Sequence, residues 1–463
     1  MAHVKVEREI GGRTLTMETG KIAKLCDAAV MATYGGTTVL ATVVRAKPRE
    51  GLDFFPLTVD YREKTSAAGK FPGGFRKREG APNEKEILTM RLIDRPIRPL
   101  FPDGFLDEIQ VQCFVMSHDG ENDSDVLAGT AASAALALSD APFEGPIATV
   151  RVGRVHTDDG ARFVLNPTIT QLDYSDLDLV LAGHKDGINM IEIGAAEVDE
   201  AAVLASMEFG YNGVKDTLAL IDELVRKAGK PKRAGELLLP TAEVIEQVRK
   251  LVEKPLTEAR KINKKHERGD KVDELKSKML DEHFVVKTAG TYEDFLTTSK
   301  RRSMAKAAYS KLEEKITRRL IVENGIRADG RKAGQLRPIE CEVGVLARTH
   351  GSALFQRGET QSLVTCTLGT GKDEQIVDGL IPEYSKKFML HYNFPPFATG
   401  EAKRITGPGR REIGHGALAE RSLMGILPSP EEFPYTMRIV SDITESNGSS
   451  SMASVCGGCL ALM

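Results

Sequence analysis

Along the first half of the chain, apolar residues form short runs or alternate with polar residues, and both patterns predict β-strands. The predicted strands have the sequences TTVLATVV, FFPLTVDY, IQVQCFVM, IATVRVG, LDLVLAG and INMIEIG. Three other segments, 86–95, 126–139 and 214–228, carry apolar residues at the three- and four-residue spacing of an α-helix. Strands that alternate with helices indicate an α/β fold, of the α+β type, for this half of the chain.

The central part of the chain has helical periodicity without strand patterns. Apolar stripes run over 244–252 and 312–320, lysine and glutamate fill the segment between them, and KKHERGDK is predicted to form a turn. A solvated linker helix is one interpretation, and we favour a small packed helical domain. The predicted domains are a first core over 1–236, a helical domain over 237–325 and a second core over 326–463.

The two cores are copies of each other. The segment ENDSDVLAGTAASAALALS, from Glu121, aligns without gaps with ESNGSSSMASVCGGCLALM, from Glu445. Further blocks match in the same order, including YGGTTVLAT with RGETQSLVT, and 74–102 with 400–428. Collinear blocks indicate a duplicated domain. The second copy stops at Met463, partway through the repeat, so we expect the second core to be incomplete and the chain to be part of a longer protein.

Composition narrows the class of protein. The chain has 463 residues, enough for two or three domains, with 41% hydrophobic and 28% charged residues and no apolar run of membrane-spanning length. The N-terminus lacks the apolar segment of a secretion signal, and the six cysteines are scattered. These features predict a cytoplasmic protein with reduced thiols and no membrane partner. The net charge of −3 is near neutral, so a nucleic-acid surface has to be local.

The duplication separates residues of the fold from candidates for chemistry, because a residue needed only for the fold is expected in both copies. The first copy has glutamate, lysine and threonine at the positions of Arg410, Arg411 and His415. In the gap-free alignment it has an acid and two apolar residues, 125–127, at the positions of the serines 449–451. The second copy alone therefore combines hydroxyls, two arginines and a histidine.

This combination favours binding of a phosphate. A turn of small residues that enters a helix exposes unpaired N–H groups and the positive end of the helix dipole. Serine hydroxyls donate hydrogen bonds, and the planar fork of arginine suits phosphate oxygens. The phosphate-binding candidates are Asn447, Ser449, Ser450 and Ser451, and the catalytic candidates are Arg410, Arg411 and His415. In the alternative interpretation the serines only cap the helix.

A second candidate surface is the segment GGFRKREG, which places an aromatic residue beside three cations: Phe75, Arg76, Lys77 and Arg78. The functional interpretation is contact with an RNA backbone and stacking on a base. A solvated basic loop explains the same pattern, and the residues alone do not decide between the two.

Several long motifs resemble those of the bacterial polynucleotide phosphorylase family, which contains ribonuclease PH-type exoribonucleases. They are FFPLTVDYREKTSAAGKFPGGF, RLIDRPIRPLFP, RTHGSALFQRGETQ, HYNFPPF, GRREIGHG and SDITESNGSSSMASVCG, and the resemblance covers the whole chain. It implies two ribonuclease PH-like cores joined by an all-helical domain, and a ring of three chains. It implies 3′-to-5′ phosphorolysis of single-stranded RNA to nucleoside diphosphates, with inorganic phosphate as co-substrate and Mg²⁺ or Mn²⁺ as cofactor, in messenger RNA turnover and with partners in RNA-degradation complexes.

The resemblance also assigns roles to residues. The three serines match the phosphate-binding turn of the family, and the arginines and histidine of GRREIGHG match its active-site residues. Phe75 matches the first aromatic of an RNA-gripping loop, whereas Arg76 stands where a second phenylalanine is usual and Ala81 where an arginine is common. The metal-binding acids of the family lie beyond the position of Met463, so no metal ligand is expected in this chain. Alternatives are a catalytically incomplete RNA-binding or scaffold fragment and a nucleotide-binding module.

Overall fold

The computed structural model describes residues 2–49, 54–288 and 290–463. The strands of the first core are β1 (Val4–Ile10), β2 (Arg13–Thr19), β3 (Ala28–Tyr34), β4 (Thr37–Ala46), β5 (Leu57–Glu63), β6 (Glu108–Ser117), β7 (Ala148–Thr157), β8 (Gly160–Leu165), β9 (Ser175–His184) and β10 (Gly187–Ala195). Its helices are α1 (Glu84–Ile97), α2 (Ser124–Leu138), α3 (Ile169–Leu172) and α4 (Glu200–Ala228).

Two sheets build the first core. Among the described residues, one sheet has the order β1-β2-β3-β4-β6-β5 and the other β10-β9-β7-β8, and β5 with β6 is the parallel pair. Helix α2 packs on β3 and β4 on one side and on β7 and α4 on the other. Every residue of α2 is therefore buried. Small side chains, mostly alanine, let both neighbours approach closely, which explains why this helix has no polar face.

The helical segment contains α5 (Ala242–Arg260), α6 (Lys265–His283) and α7 (Tyr292–Asn324), which share one apolar cluster. The prediction of a turn at KKHERGDK is wrong, because the segment forms the start of α6. Arg268 is buried there, and its guanidinium donates to the main-chain carbonyls of Ile262, Asn263 and Ala328. These three bonds offset the cost of a glycine in the helix, about 1 kcal/mol.

The second core repeats the first sheet. Its elements are β11 (Ile339–Val343), β12 (Gly351–Arg357), β13 (Gln361–Gly369), β14 (Gln375–Val377), β15 (Tyr384–Lys386), β16 (Phe388–Asn393), α8 (Arg410–Met424), β17 (Thr436–Glu445) and α9 (Ser450–Leu462). The strand order β11-β12-β13-β17-β16, with β16 and β17 parallel, reproduces β2-β3-β4-β6-β5. The predicted α/β class, the duplicated core and the helical region between the copies are confirmed.

The two cores meet through α1 and α8. Arg95 Nη1 and Arg421 Nη2, which occupy matching positions in the two helices, approach the same Glu192 carboxylate at 2.8 Å and 3.7 Å. Lys70 Nζ donates to the carbonyls of Gly379 and Ile381, at 3.2 Å and 2.5 Å, and so links the two cores a second time. Within the described residues, no helix combines the length and apolarity needed to cross a membrane.

Candidate phosphate-binding site

The serine turn lies between β17 and the first residue of α9. Gly448, with φ of 86°, and Ser449, with φ of 55°, have left-handed backbone conformations. A serine in this region costs roughly 1–2 kcal/mol, because its Cβ crowds the following carbonyl oxygen. Such strain persists only where surrounding contacts impose it, and it concentrates at functional sites.

The turn exposes a row of unpaired main-chain donors. Within the part of the chain that the structure describes, the N–H groups of Gly448, Ser449, Ser450 and Ser451 have no acceptor. Ser449 is exposed, Ser451 is half-buried and Ser450 is buried. Four adjacent donors at the positive end of a helix form the arrangement that binds anions in other proteins.

The hydroxyl of Ser450 serves the fold. It forms a hydrogen bond of 2.7 Å with the Tyr392 hydroxyl, and Ser124 forms the same bond with Tyr61 at the start of α2, also at 2.7 Å. This shared contact corrects the gap-free alignment of the copies, because it matches Ser450 with Ser124. The residues that flank Ser450 therefore correspond to two aspartates of the first core, and not to an acid and two apolar residues.

Asn447 is placed differently from the serines. Its side-chain Nδ2 donates to Glu359 at 2.8 Å, its N–H donates to Thr360 Oγ1 at 3.0 Å, and its carbonyl accepts from Arg337 at 3.1 Å. These groups are already engaged within the protein. The prediction of Asn447 as a phosphate ligand is untested, and this geometry favours a role in shaping the turn.

Arg411 contributes a positive charge beside the turn. Its guanidinium carbon lies 5.9 Å from the centroid of the Phe394 ring, and within the described ranges no carboxylate oxygen lies within 4.0 Å of it. Burial raises the pKa of Tyr392, the partner of Ser450, and the nearby charge of Arg411 opposes that rise, which places this charge close to the start of α9. The guanidinium is exposed and available to an anion.

His415 lies one turn further along α8. Its ring centroid is 5.1 Å from that of Tyr392, and its Nδ1 atom is buried without a partner among the described atoms. Burial, and then the charges of Arg411 and Arg91, lower the pKa of His415. The ring is therefore neutral at pH 7, and one of its nitrogens is free to accept a proton or a hydrogen bond.

Arg410 is directed away from the turn. Its Nη1 donates to the carbonyl of Val59 at 2.8 Å and its Nη2 to the Asp60 carboxylate at 2.9 Å, both on β5 of the first core. The structure thus brings Arg411 and His415 to the serine turn but uses Arg410 to join the two cores. No observation here tests its predicted catalytic role.

Arg91, on α1 of the first core, escaped the sequence analysis. Its guanidinium lies against Gly414 on α8, and its charge contributes to the lowered pKa of His415. The sequence contained a signal for it, since the position of Arg91 in α1 corresponds to Ala417 in α8. The candidates were residues found in the second copy alone, whereas Arg91 is a cation found in the first copy alone.

The first core fills the matching site with its own charges. Lys85, at the position of Arg411, places its Nζ 3.0 Å from Asp123 and 3.2 Å from Glu63. Arg151 binds Asp123 at 3.1 Å and Asp125 at 2.7 Å. Burial opposes the charge of Asp123, but Lys85 and Arg151 hold the pKa of this carboxyl well below its usual range. Carboxylates of the protein itself occupy the place that an external anion would take.

The basic loop of the first core is fully open to solvent. The Phe75 ring is 102% exposed, and Arg76, Lys77 and Arg78 are exposed with no carboxylate partner in the described ranges. The loop leaves the protein between two anchors, Lys70 on the second core and Arg62, whose Nη2 donates to the Gly80 carbonyl at 2.8 Å. An aromatic ring and three free cations at the tip of an anchored loop suit a polyanion with bases.

The residues around the serine turn do not fit a divalent metal ion. Mg²⁺ and Mn²⁺ prefer carboxylate and other oxygen ligands, whereas this site presents hydroxyls, N–H groups, guanidinium groups and one imidazole. In the part of the chain that the structure describes, no group of three or more His, Cys, Asp or Glu residues is placed to hold a metal. We therefore derive no step through a metal from this chain.

Two copies of one core, with unpaired N–H groups at a helix start in the second, define the class of protein, and comparison with known families identifies it. The model of the 3′ exoribonuclease family, domain 1, matches residues 11–142 and 335–463, which is more than half of the chain. The model of domain 2 of that family matches residues 145–213, and the model named polyribonucleotide nucleotidyltransferase, RNA binding domain, matches 243–332. The chain belongs to the 3′ exoribonuclease family.

Curated relatives agree with this assignment. The chain is 52% identical to a polyribonucleotide nucleotidyltransferase of Chelativorans sp. (strain BNC1) over 100% of its length, and 50% identical to one of Sorangium cellulosum (strain So ce56) over 98%. It spans 63% and 59% of the lengths of these two relatives. The resemblance to polynucleotide phosphorylases is confirmed. The solved structure of rice (Oryza sativa) Rrp46 is 15% identical, with a TM-score of 0.38, over 47% of this chain and 98% of that one.

Proposed function

We propose that this chain supplies the phosphate-binding and RNA-binding groups of a phosphorolytic 3′-to-5′ exoribonuclease. The observation that carries the proposal is the contrast between the copies. Arg411 and Lys85 occupy matching positions beside the start of matching helices, and Lys85 has an internal carboxylate partner at 3.0 Å. Arg411 has none in the described residues, and four N–H groups beside it are unpaired. This uncompensated positive charge supports binding of inorganic phosphate.

In the proposed reaction, an oxygen of inorganic phosphate attacks the phosphorus of the last RNA linkage, and the bond to the 3′ oxygen of the preceding nucleotide breaks. The products are a nucleoside diphosphate and an RNA shorter by one nucleotide with a 3′ hydroxyl. The serine turn and Arg411 orient the attacking phosphate and neutralise charge, which are the main requirements of phosphoryl transfer. Neutral His415 donates a ring N–H to a phosphate or RNA oxygen and so orients it.

The basic loop supports the rest of the proposal. Phe75 stacks on a base, and Arg76, Lys77 and Arg78 follow the RNA backbone. The charge and exposure of these residues favour single-stranded RNA over a protein partner.

The family resemblance extends the proposal beyond these contacts. It adds a homotrimer, partners in RNA-degradation complexes, a cytoplasmic location, and Mg²⁺ or Mn²⁺ held by residues outside those described. The domain boundaries 1–236, 237–325 and 326–463 are proposed with it.

A product assay tests this function. The protein is incubated with a 3′-labelled oligoadenylate, with and without inorganic phosphate, in the presence of Mg²⁺, and the nucleotides are separated. We expect ADP, formed only when phosphate is present. Release of AMP without phosphate would identify a hydrolase and refute the proposal. RNA binding without any nucleotide release would favour an RNA-binding fragment, and tighter binding of free nucleotides than of RNA would favour a nucleotide-binding module.

Arg411→Ala separates the phosphate site from the RNA site. Removal of a charge-assisted contact worth roughly 1.5–3 kcal/mol should raise the KM for phosphate about 10- to 150-fold while the KM for RNA changes little. Arg404→Ala is a control of similar size, because Arg404 is exposed and has no hydrogen bond or ion pair within the described part of the chain. Equal phosphate kinetics for the two variants would remove Arg411 from the site.

A further inference from the structure

The carbonyl oxygens of the serine turn are held by cations on the side opposite the free N–H groups. Lys265 Nζ donates to the Ser446 carbonyl at 2.6 Å. Arg337 Nη1 donates to the Asn447 carbonyl at 3.1 Å. Arg357 Nη2 donates to the carbonyls of Gly448 and Ser449, each at 3.3 Å. Four consecutive carbonyls thus accept hydrogen bonds from three positively charged side chains.

Because the peptide group is planar, these contacts to the carbonyls also set the direction of the N–H donors. In a trans peptide the carbonyl of one residue and the N–H of the next point in opposite directions. Carbonyls bound on the inner side of the turn therefore direct the N–H groups of Gly448, Ser449 and Ser450 to its open side. The same contacts help to hold Ser449 in its left-handed conformation, because they fix the peptide groups on both sides of it.

Lys265 differs from the two arginines because it belongs to the helical segment, 181 residues before Ser446 in sequence. It is the first residue of α6, where the positive end of the helix dipole disfavours a lysine. Its amine has no carboxylate within 4.0 Å among the described residues, and within that part of the chain it donates to the Ser446 carbonyl. A residue in an unfavourable position with one distant partner indicates a specific role for that contact.

The support for Lys265 is rigid at both ends. On the helical side, Arg268, one turn further along α6, fixes the start of the helix through three main-chain carbonyls. On the other side, the peptide group between Ser446 and Asn447 is bound at its carbonyl by Lys265 and at its N–H by Thr360 Oγ1, at 3.0 Å. The first peptide group of the turn is therefore fixed from two directions.

We propose that Lys265 is a positioning residue for phosphate binding, through which the helical domain holds the serine turn in its anion-binding conformation. The proposal rests on the proposed function, because it requires that the turn binds phosphate. It assigns the helical domain a part in the phosphate site in addition to joining the two cores.

The test compares Lys265→Met with Lys264→Met. Lys264 is the preceding residue, is exposed, and pairs with Glu267 at 2.9 Å, so its loss removes the same charge without touching the turn. Binding of inorganic phosphate is measured by calorimetry on the purified full chain, and KM values for phosphate and for RNA are measured separately. We expect Lys265→Met to weaken phosphate binding about tenfold, the size of one lost charge-assisted hydrogen bond. The KM for RNA and the thermal midpoint should stay close to those of Lys264→Met.

Lys265→Arg provides the rescue, since a guanidinium can still donate to the Ser446 carbonyl. Recovery of most of the phosphate affinity in this variant would support positioning. Equal phosphate affinity in Lys265→Met and Lys264→Met would overturn the inference while leaving the proposed function standing. Absence of phosphate binding in the unmodified protein would refute the proposed function, and the inference with it. A parallel loss of RNA affinity and thermal stability in Lys265→Met would show a merely structural contact and would also overturn the inference.

Discussion

Replacement of Ser449 by aspartate should weaken phosphate binding, because it adds the negative charge that the first core carries at this position. There Asp123 occupies the matching position, and its carboxylate accepts from Lys85 at 3.0 Å. In the second core Arg411 stands in place of Lys85 and has no carboxylate partner in the described residues. The backbone accommodates the change, since aspartate and asparagine tolerate the φ of 55° at this position better than most residues do.

The expected loss of phosphate affinity follows from the charge of the new carboxylate and from the exposure of residue 449. Two unit charges about 4 Å apart repel by about 1 kcal/mol in water and about 4 kcal/mol at an effective dielectric constant of 20. Ser449 is exposed, so we take about 1–2 kcal/mol for the repulsion between the new carboxylate and one charge of phosphate. The lost hydroxyl donor adds about 1 kcal/mol. A total of about 2–3 kcal/mol corresponds to phosphate binding that is about 30- to 150-fold weaker.

The assay is calorimetric titration with inorganic phosphate, with Ser449→Asn as the control. Asparagine has nearly the shape of aspartate, tolerates the same backbone conformation and adds no charge, so its loss of affinity should stay below about tenfold. Equal phosphate affinity in the two variants would mean that no anion binds near residue 449. That result would refute the assignment of the turn, whatever the nucleolytic activity of either variant.

Four further predictions concern His415, the first core and the basic loop. Arg411→Ala should raise the pKa of His415 toward the ordinary value of about 6.5, because it removes a nearby positive charge; an unchanged pKa in an NMR titration would contradict the geometry. Lys85→Met should leave the buried Glu63 carboxylate without its cation, and Asp123 with Arg151 alone, and destabilise the first core by about 1–3 kcal/mol; an unchanged calorimetric unfolding midpoint would argue against this. In the basic loop, Arg78→Ala should reduce the salt dependence of RNA binding by about one phosphate contact, and Phe75→Ala should weaken RNA binding without a change in the thermal midpoint; filter-binding assays at several salt concentrations would detect either failure.

The sequence predicted strands and helices well where one face of the element is buried, because one-sided burial produces a regular spacing of apolar residues. Six of the ten strands described for the first core, and the apolar stripes of α5 and α7, were identifiable from that pattern, whereas β1, β2, β3 and β8 were not predicted. The turn predicted at KKHERGDK was wrong because charge and a glycine suggest exposure, whereas the buried Arg268 holds that segment in α6 through distant carbonyls. Helix α4 was predicted over 214–228 and begins at Glu200, since its first half is only partly buried and lacks a clear apolar stripe.

The candidate site was predictable in composition but not in geometry. Internal comparison of the copies correctly singled out the serine turn as a place where their chemistry differs. It could not show that the Ser450 hydroxyl binds Tyr392, or that Arg410 reaches Asp60 in the first core. Both contacts join segments far apart in sequence, and their partners are fixed by the packing of whole domains. The same limit explains why Lys265 gave no signal beyond that of a charged, helical segment.

Uncompensated charge, more than the serines themselves, distinguishes the second copy of the site, to which we assign phosphate binding, from the first. In both, a tyrosine hydroxyl binds a serine in the first turn of the helix at 2.7 Å. The preceding residue differs in conformation, since Asp123 is extended, with φ of −64°, and Ser449 is left-handed, with φ of 55°. A helix N-terminus carries about half a positive charge. In the first copy Asp123 and Asp125 satisfy this charge and that of two nearby cations. In the second copy, small neutral residues leave this charge without a carboxylate partner among the described residues beside Arg411, which is the basis for the proposed binding of an anion from solution.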